Sequence, residues 1–267
     1  MNSTAPNFEN LLALAKIAAL KAGDEILKVY NSDDFGVESK SDESPLTKAD
    51  KAAHYKIVEL LEDSNLPILS EEGAEIPFDI RCKWDYFWMV DPLDGTKEFI
   101  KRNGEFTVNI ALINKGVPVM GVVYTPVTKE LFYAYETIGA FKEDSSGVHK
   151  LSKSKDIELT NLRVVASRSH LNEATKSFMD KLVNPSIVSM GSSLKFLAIA
   201  DSKADIYPRY APTMEWDSAA AHGICSVLGI EVMNLETKES VSYNKENLLN
   251  PFFIVAASDI LKKLNLK

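Results

Sequence analysis

The sequence is poor in cysteine, and this scarcity excludes two ways of supporting a fold. Only two cysteines, Cys82 and Cys225, occur among 267 residues, and they lie far apart in the chain. They form neither a CxxC metal-binding pattern nor the framework of a disulfide-rich domain. We therefore expect a reduced, cytosolic protein.

Long apolar runs are also missing. No stretch approaches the roughly 18 uninterrupted apolar residues of a membrane span, so we expect no transmembrane segment. The N-terminus lacks the basic region and apolar block of a secretory signal. Its apolar residues instead recur at spacings of three and four from Phe8 to Val29, which predicts an amphipathic helix.

Positive charge is in deficit. Lys and Arg number 30 against 38 Asp and Glu, which gives a net charge of −8. A chain of this balance, without a long basic block, is a poor candidate for binding a nucleic acid polymer through its phosphates. A cation, or an anion that arrives with cations, is the better candidate ligand.

Several catalytic signatures are absent from the sequence. It contains no GxGxxG, no GxxxxGK[ST] and no HExxH, which argues against a dinucleotide fold, a P-loop and zinc hydrolysis. Gly191-Ser192-Ser193-Leu194-Lys195 fails as a nucleophile elbow because Lys195 stands where a glycine is required. The chemistry must therefore rest on other residues.

Interleaved helical and strand patterns predict a mixed α/β class. We predict helices over residues 8–29, 47–63, 194–200 and 216–228 and from about residue 172, and strands over residues 67–69, 86–90, 106–113, 118–124, 130–135, 163–167, 187–190 and 204–207. The turn-rich stretch 143–156 is the candidate boundary between an N-terminal lobe, residues 1–150, and a C-terminal lobe, residues 151–267.

The most informative segment is Trp88-Met89-Val90-Asp91-Pro92-Leu93-Asp94-Gly95-Thr96. An apolar strand delivers Asp91, Pro92 stops the strand, and Asp94-Gly95 is a turn signal. Both carboxylates and the Leu93 carbonyl can then face one point, which suits a hard cation such as Mg²⁺. The alternative is an Asp-rich turn satisfied by its own backbone.

Three further acids lie at ends of predicted elements. Glu71, followed by Glu72, comes after a short apolar run, which predicts a second acid at a strand end. The alternative is that both are exposed loop charges. Asp50 fits a capping box with Thr47 at a helix start. Asp217 opens an Ala-rich helix and could simply be its N-cap. Each acid alone is weak evidence, but together they favour a metal site.

Residues suited to an anion are present as well. Gly191-Ser192-Ser193 opens a predicted helix, where backbone amides favour phosphate. Lys195 lies one turn further on, and Arg209 follows a strand and Pro208. His170 precedes another predicted helix. The alternative interpretation of His170 is an ordinary capping or surface histidine. Metal carboxylates combined with phosphate-binding helix starts indicate phosphate-ester chemistry.

These motifs resemble the inositol monophosphatase superfamily. Asp91-Pro92-Leu93-Asp94-Gly95-Thr96 matches its D-P-[LI]-D-G-T signature, Glu71-Glu72 its upstream acids, and Trp216-Asp217-Ser218-Ala219-Ala220 its W-D-x-A-A motif. The order and spacing agree over most of the chain. The run from Asp91 to Ile113 is similar to the bacterial 3′(2′),5′-bisphosphate nucleotidase branch.

The resemblance implies a layered αβαβα sandwich of two lobes and a Mg²⁺-dependent, lithium-sensitive phosphatase with two to three ions per site. The implied reaction removes the 3′-phosphate of adenosine 3′,5′-bisphosphate (PAP), giving AMP and phosphate, and extends to 3′-phosphoadenylyl sulfate (PAPS). This is the chemistry of PAP recycling in sulfur metabolism. The implied location is cytoplasmic, with some bacterial members peripheral on the inner membrane, and the protein is expected as a monomer or homodimer.

The resemblance also implies roles for individual residues. Metal ligands would be Glu71, Asp91, the Leu93 carbonyl, Asp94 and Asp217, and catalytic residues Asp50, Thr96 and Glu71. Substrate contacts would come from Glu71, Leu93, Asp94, Gly95, Thr96, His170, Ser192, Lys195, Arg209 and Asp217. The nearest alternative is an inositol or fructose-bisphosphate phosphatase with the same metal site. A non-catalytic nucleotide or metal sensor is the alternative from another class.

Overall fold

The structure is a computed structural model that describes residues 6–39, 45–152, 158–166 and 172–267. Within these ranges the helices are α1 (Phe8–Tyr30), α2 (Lys48–Leu61), α3 (Phe78–Arg81), α4 (Thr96–Ile100), α5 (Glu173–Met179), α6 (Leu194–Ala200), α7 (Trp216–Val227) and α8 (Ser258–Lys263). None of the described helices is both long enough and apolar enough to cross a membrane.

The described strands are β1 (Glu38–Ser39), β2 (Pro45–Leu46), β3 (Ile68–Ser70), β4 (Tyr86–Asp94), β5 (Thr107–Asn114), β6 (Val117–Thr125), β7 (Glu130–Tyr135), β8 (Gly139–Asp144), β9 (Gly147–Lys150), β10 (Arg163–Ala166), β11 (Ser186–Ser189), β12 (Ile206–Arg209), β13 (Ile230–Asn234) and β14 (Phe253–Ala257). The short strands β1 and β2 form a separate antiparallel pair.

A seven-stranded sheet with the order β3-β4-β5-β6-β7-β8-β9 lies at the centre of the N-terminal half. Only β3 and β4 run parallel, and each later pair is antiparallel. Side chains alternate between its two faces. Trp88 and Ile110 pack against α1 and α2, whereas Met89 and Ala111 pack against α7. Burial on both faces explains why β4 and β5 are almost continuously apolar.

A five-stranded sheet with the order β11-β10-β12-β14-β13 forms the second layer of strands. One face shares a core with the first sheet, where Phe253 and Val255 belong to the same buried cluster as the side chains of α6 and α7. The other face packs against α5 and α8 through Phe178, Ile260 and Leu261. The layers are therefore α1/α2, sheet, α6/α7, sheet and α5/α8, which confirms the predicted αβαβα sandwich.

Two local predictions were wrong. Pro92 does not stop β4, which continues to Asp94 across a register shift between Asp91 and Asp94. A proline is tolerated there because an irregular ladder does not require its missing N–H. The turn-rich stretch 143–156 contains strand β9, which pairs with β8. The division into lobes at residue 150 stays a prediction, although the two large sheets fall on either side of it.

Candidate metal and phosphate site

Three carboxylates from distant parts of the chain meet in the structure. Glu71, Asp91 and Asp217 each place a carboxylate oxygen so that the three atoms lie within 4.8 Å of one another. Glu71 is partly buried, Asp91 is buried and Asp217 is partly buried. Of the residues that the structure describes, these form the group of acidic, His or Cys side chains able to hold a metal ion.

Strand pairing brings the first two of these acids together. Because β3 and β4 are parallel neighbours, with Ser70 opposite Val90, the residues that follow them emerge at the same edge of the sheet. The Glu71 amide donates to the Val90 carbonyl at 3.0 Å, which fixes the backbone of Glu71 beside Asp91. Glu71 thus follows the end of β3, as predicted, whereas Asp91 lies within β4, beside its register shift.

The third acid comes from the first turn of α7. The N-cap of this helix is Glu215, so the interpretation of Asp217 as the N-cap is wrong. The Asp217 side chain nevertheless accepts a hydrogen bond from the Met214 amide at 2.9 Å. This bond uses Oδ2 and orients the carboxylate at the start of the helix.

Burial and mutual repulsion disfavour the ionised forms of these acids. Burial first, and then the charges of Glu71, Asp94 and Asp217, raise the pKa of Asp91 well above its ordinary value. Burial, Asp94 and Glu71 likewise raise the pKa of Asp217 to about 8. Buried carboxylates gathered in this way require a cation if they are to stay charged. The all-oxygen donor set fits a hard divalent ion.

The turn after Asp91 is held by its own backbone and by one hydroxyl. The Leu93 amide donates to Asp91 Oδ1 at 3.0 Å, so the alternative of a self-satisfied Asp turn is correct for one of its oxygens. Thr96 Oγ1 lies 3.3 Å from the Leu93 carbonyl oxygen. Gly95 has a φ of +98°, a conformation that favours glycine at the start of α4.

Asp50 combines the two roles that the sequence left open. Its Oδ2 accepts from the Thr47 amide at 2.7 Å, which completes the predicted capping box of α2. Its Oδ1 accepts from Thr96 Oγ1 at 3.1 Å. Burial raises the pKa of Asp50 despite these hydrogen bonds. One buried carboxylate therefore caps a helix and contacts the hydroxyl at the metal-site turn.

Asp94 lies outside the group of three acids. Its Oδ2 accepts from both Ser192 Oγ and the Ser193 amide, each at 2.6 Å. The Ser192-Ser193 turn does precede helix α6, as predicted. However, its Ser193 amide, expected to favour phosphate, donates to a carboxylate of the protein itself.

A cavity of about 320 Å³ adjoins these acids. Its lining includes the predicted residues Asp94, Gly95, Ser192, Lys195, Arg209 and Asp217. It also includes Lys97, Lys101, Thr213 and Phe253, which the sequence analysis did not single out. Burial lowers the pKa of Lys195 to about 8, so the amine still carries its charge at neutral pH, and a bound anion would favour the charged form further. A larger cavity, of about 750 Å³ beside Phe8 and Tyr135, contains none of the predicted site residues.

His170 lies outside the described residues, so its predicted contact with adenine stays a prediction. Thr107 and Asn109 were missed by the sequence analysis, although both lie within 3.0 Å of the Ser192-Ser193 turn. The available signal was a pair of polar residues two positions apart in an otherwise apolar strand.

Comparison with known proteins identifies relatives over nearly the whole chain. The inositol monophosphatase family matches residues 7–265. The 3′(2′),5′-bisphosphate nucleotidase CysQ of Salmonella typhimurium is 44% identical over 240 residues, covering 89% of this chain and 96% of the relative. The protein of the same name from Escherichia coli K12 is 43% identical over 241 residues, with the same coverage.

Solved structures give the same picture. The crystal structure of CysQ from Bacteroides thetaiotaomicron, described as a bacterial member of the inositol monophosphatase family, has a TM-score of 0.85 and 46% identity. The alignment covers 94% of this chain and 98% of that one. An inositol monophosphatase from Thermotoga maritima has a TM-score of 0.77 at 23% identity over 96% of each chain, which supports the fold alone.

Proposed function

The chain belongs to the inositol monophosphatase family, and from this premise we propose that it is a 3′(2′),5′-bisphosphate nucleotidase. It removes the 3′-phosphate of PAP, giving AMP and phosphate, and it also acts on PAPS. The convergence of Glu71, Asp91 and Asp217 beside a cavity lined by Lys195 and Arg209 carries this proposal. The nucleotidases that share about 44% of its sequence support the choice of substrate.

The acidic group fits the metal dependence of the family. Glu71, Asp91 and the Leu93 carbonyl would hold one Mg²⁺, and Asp91, Asp94 and Asp217 a second. A third, more weakly held ion would lie near Glu71. When bound, Mg²⁺ would supply the charge that acidifies a water molecule and stabilises the leaving oxygen.

Thr96 is the proposed proton acceptor of the chain. Its hydroxyl can take a proton from the attacking water only while passing its own proton to another base. Asp50 is placed for this role because its Oδ1 lies 3.1 Å from Thr96 Oγ1. The raised pKa of Asp50 makes that carboxylate a better proton acceptor than an exposed aspartate.

Backbone amides and cations would bind the substrate's two phosphates. The Gly95 and Thr96 amides, at the start of α4, would bind the scissile phosphoryl group. Lys195 and Arg209 bind the 5′-phosphate, with Ser192 beside it and His170 against the adenine. A second phosphate distinguishes this substrate from an inositol monophosphate. The positive charges of Lys195 and Arg209 are suited to binding it.

A comparison of substrates tests the proposal. Phosphate release is measured with PAP and with inositol 1-phosphate, each in MgCl₂ and in EDTA. A higher kcat/KM for PAP that is lost in EDTA is the expected result. A preference for inositol 1-phosphate would identify a sugar-phosphate phosphatase of the same family. Absence of Mg²⁺-dependent release from either substrate would instead indicate a non-catalytic sensor.

A further inference from the structure

Two buried polar side chains stand side by side on β5. Thr107 and Asn109 are 0% and 1% exposed, and their spacing of two puts them on the same face of the strand. The residues between and after them in β5 are apolar up to Asn114. Burying a polar group in such a strand costs free energy unless the group is hydrogen-bonded. The hydrogen-bond partners of Thr107 and Asn109 therefore indicate the role of these two side chains.

A directed chain of hydrogen bonds links Asn109 to Asp217. Asn109 Nδ2 donates to Ser193 Oγ at 3.0 Å, and Ser193 Oγ donates to the Asp217 carbonyl oxygen at 2.8 Å. A serine hydroxyl has one proton, and a carbonyl oxygen can only accept. Because Ser193 gives its proton to that carbonyl, its oxygen acts as the acceptor of the bond from Asn109. An aspartate at position 109 could not donate in this way.

A second chain links Thr107 to Asp94. Thr107 Oγ1 lies 2.7 Å from Ser192 Oγ, and Ser192 Oγ donates to Asp94 Oδ2 at 2.6 Å. An ionised carboxylate only accepts, so Ser192 uses its single proton on Asp94 and accepts from Thr107. Thr107 Oγ1 also lies 3.0 Å from Asn109 Oδ1, so its single proton can go either to Ser192 or to this amide oxygen, and the two chains of hydrogen bonds start side by side on β5.

We propose that Thr107 and Asn109 are positioning residues that set the separation of Asp94 and Asp217. They act through the Ser192-Ser193 turn, which contacts both acids. The two acids come from opposite halves of the chain, and Thr107 of β5 is the ladder partner of Asp94. This inference rests on the proposed function, in which Asp94 and Asp217 share one Mg²⁺. Partners that orient metal ligands typically change metal affinity or activity 10- to 100-fold when they are removed.

Matched variants separate positioning from simple stability. Thr107→Val and Asn109→Leu remove the polar groups at nearly constant volume. Thr125→Val is the control for the first, because Thr125 is also buried in this sheet and its hydroxyl is hydrogen-bonded to Thr128 and Glu130. Asn114→Leu is the control for the second, because the Asn114 amide, on the same strand, donates to the Asp85 carbonyl at 2.9 Å.

The measurements are the melting temperature in EDTA, its rise during titration with MgCl₂, and the Mg²⁺ concentration giving half-maximal release of phosphate from PAP. We expect Thr107→Val and Asn109→Leu to need roughly tenfold more Mg²⁺, or more, in both titrations. The two control variants should keep the wild-type Mg²⁺ response, whatever their melting temperature in EDTA. Thr107→Ser, which retains the hydroxyl, should restore the response.

An unchanged Mg²⁺ response in Thr107→Val and Asn109→Leu would overturn the inference. If Asn109→Leu does not fold, Ser193→Ala tests the same chain of bonds by removing one hydroxyl, with the same expected and contrary results. A wild-type protein without Mg²⁺-dependent turnover would overturn the proposed function instead. An active wild type whose variants behave like their controls would overturn only the positioning role.

Discussion

Gly121 of β6 and Ala220 of α7 are in such close contact that position 121 has no room for a side chain. A methyl group at Gly121 would lie 2.9 Å from the carbonyl carbon of Ala220 and would overlap its oxygen. Asp217 is one turn earlier on the same helix. The missing Cβ therefore lets α7 pack directly on the first sheet, and this brings Asp217 close to Glu71 and Asp91.

Substitution Gly121→Ala should destabilise the protein and weaken its metal site together. The added methyl must push α7 off the sheet, because the obstructing atoms belong to the backbone. Overpacking of this kind costs roughly 1–3 kcal/mol or more. Thermal melting in EDTA measures the loss of stability, and MgCl₂ titration measures the weaker binding. A variant with wild-type values in both measurements would show that α7 tolerates displacement.

Substitution Asp91→Asn should abolish turnover while leaving the fold intact. Asp91 is the proposed ligand shared by two Mg²⁺ ions, and an amide cannot replace its charge. The substitution also removes a buried acid whose pKa is raised by burial and neighbouring carboxylates. We therefore expect a melting temperature in EDTA no lower than that of the wild type. Full activity of this variant would refute the assignment of Asp91.

The metal-free protein should lose stability as the pH rises towards 8. Burial and the neighbours Asp94 and Glu71 raise the pKa of Asp217 from its ordinary 3.8 to about 8, although Arg209 opposes the shift. Between these values the folded protein holds a proton that the unfolded chain has released, so each increase in pH favours unfolding. Above pH 8 the stability contributed by this proton is fully lost. Below the ordinary pKa of 3.8 it is fully retained.

Melting in EDTA across this range tests the expectation, with a fall of several degrees from about pH 5 to pH 8. Mg²⁺ should raise the melting temperature more at pH 8 than at pH 5, because metal binding requires the deprotonated carboxylates. The opposite ordering of the two Mg²⁺ effects would contradict the raised pKa of Asp217.

Substitution Thr96→Val should lower kcat with little effect on stability. It removes the hydroxyl that contacts Asp50 and preserves the capping box, since Asp50 retains its bonds to Thr47. Loss of a group that transfers a proton typically costs 10²- to 10⁴-fold, and we expect a decrease in kcat in that range. Thr96→Ser should recover much of the activity. Equal kcat values for the valine and serine variants would exclude the hydroxyl from catalysis.

Substitution Arg209→Ala should raise KM for PAP far more than KM for a simple monophosphate ester. Arg209 lines the cavity, and its Nε and Nη2 are bound to the carbonyls of Ala211 and Pro212. This anchoring presents the guanidinium to a second phosphate. Arg102→Ala is the matched control, because Arg102 also donates to two backbone carbonyls and does not line this cavity. Equal losses on both substrates would count against the assignment.

Local features could be predicted because they depend on residues a few positions apart. The capping box of Thr47 and Asp50 was found in the sequence and confirmed in the structure, and so was the turn at Gly95, whose φ is +98°. The layered α/β class followed from the alternation of helical and strand patterns. Strand β9 was missed because its four residues are exposed and Val148 is the single large apolar side chain among them, so they carry no periodic apolar signal.

Relations between distant residues were beyond the reach of sequence patterns. Motif matching placed Glu71, Asp91, Asp94 and Asp217 in one site, but only the structure separated Asp94 from the other three. In the structure Asp94 Oδ2 accepts from the Ser192-Ser193 turn, a contact across 98 or more positions. The proposed role of Thr107 and Asn109 likewise depends on their contacts with the Ser192-Ser193 turn, which the structure reveals.

The sequence by itself determined the chemistry of this protein, because the side chains that can bind a hard cation and a phosphate are set by residue type. Tertiary structure decided their distances. The parallel pairing of β3 with β4 and the close packing of α7 against Gly121 bring together Glu71, Asp91 and Asp217. One carboxylate oxygen of each lies within 4.8 Å of the others. Such distances depend on backbone packing between elements far apart in the chain, which no local pattern of residues encodes.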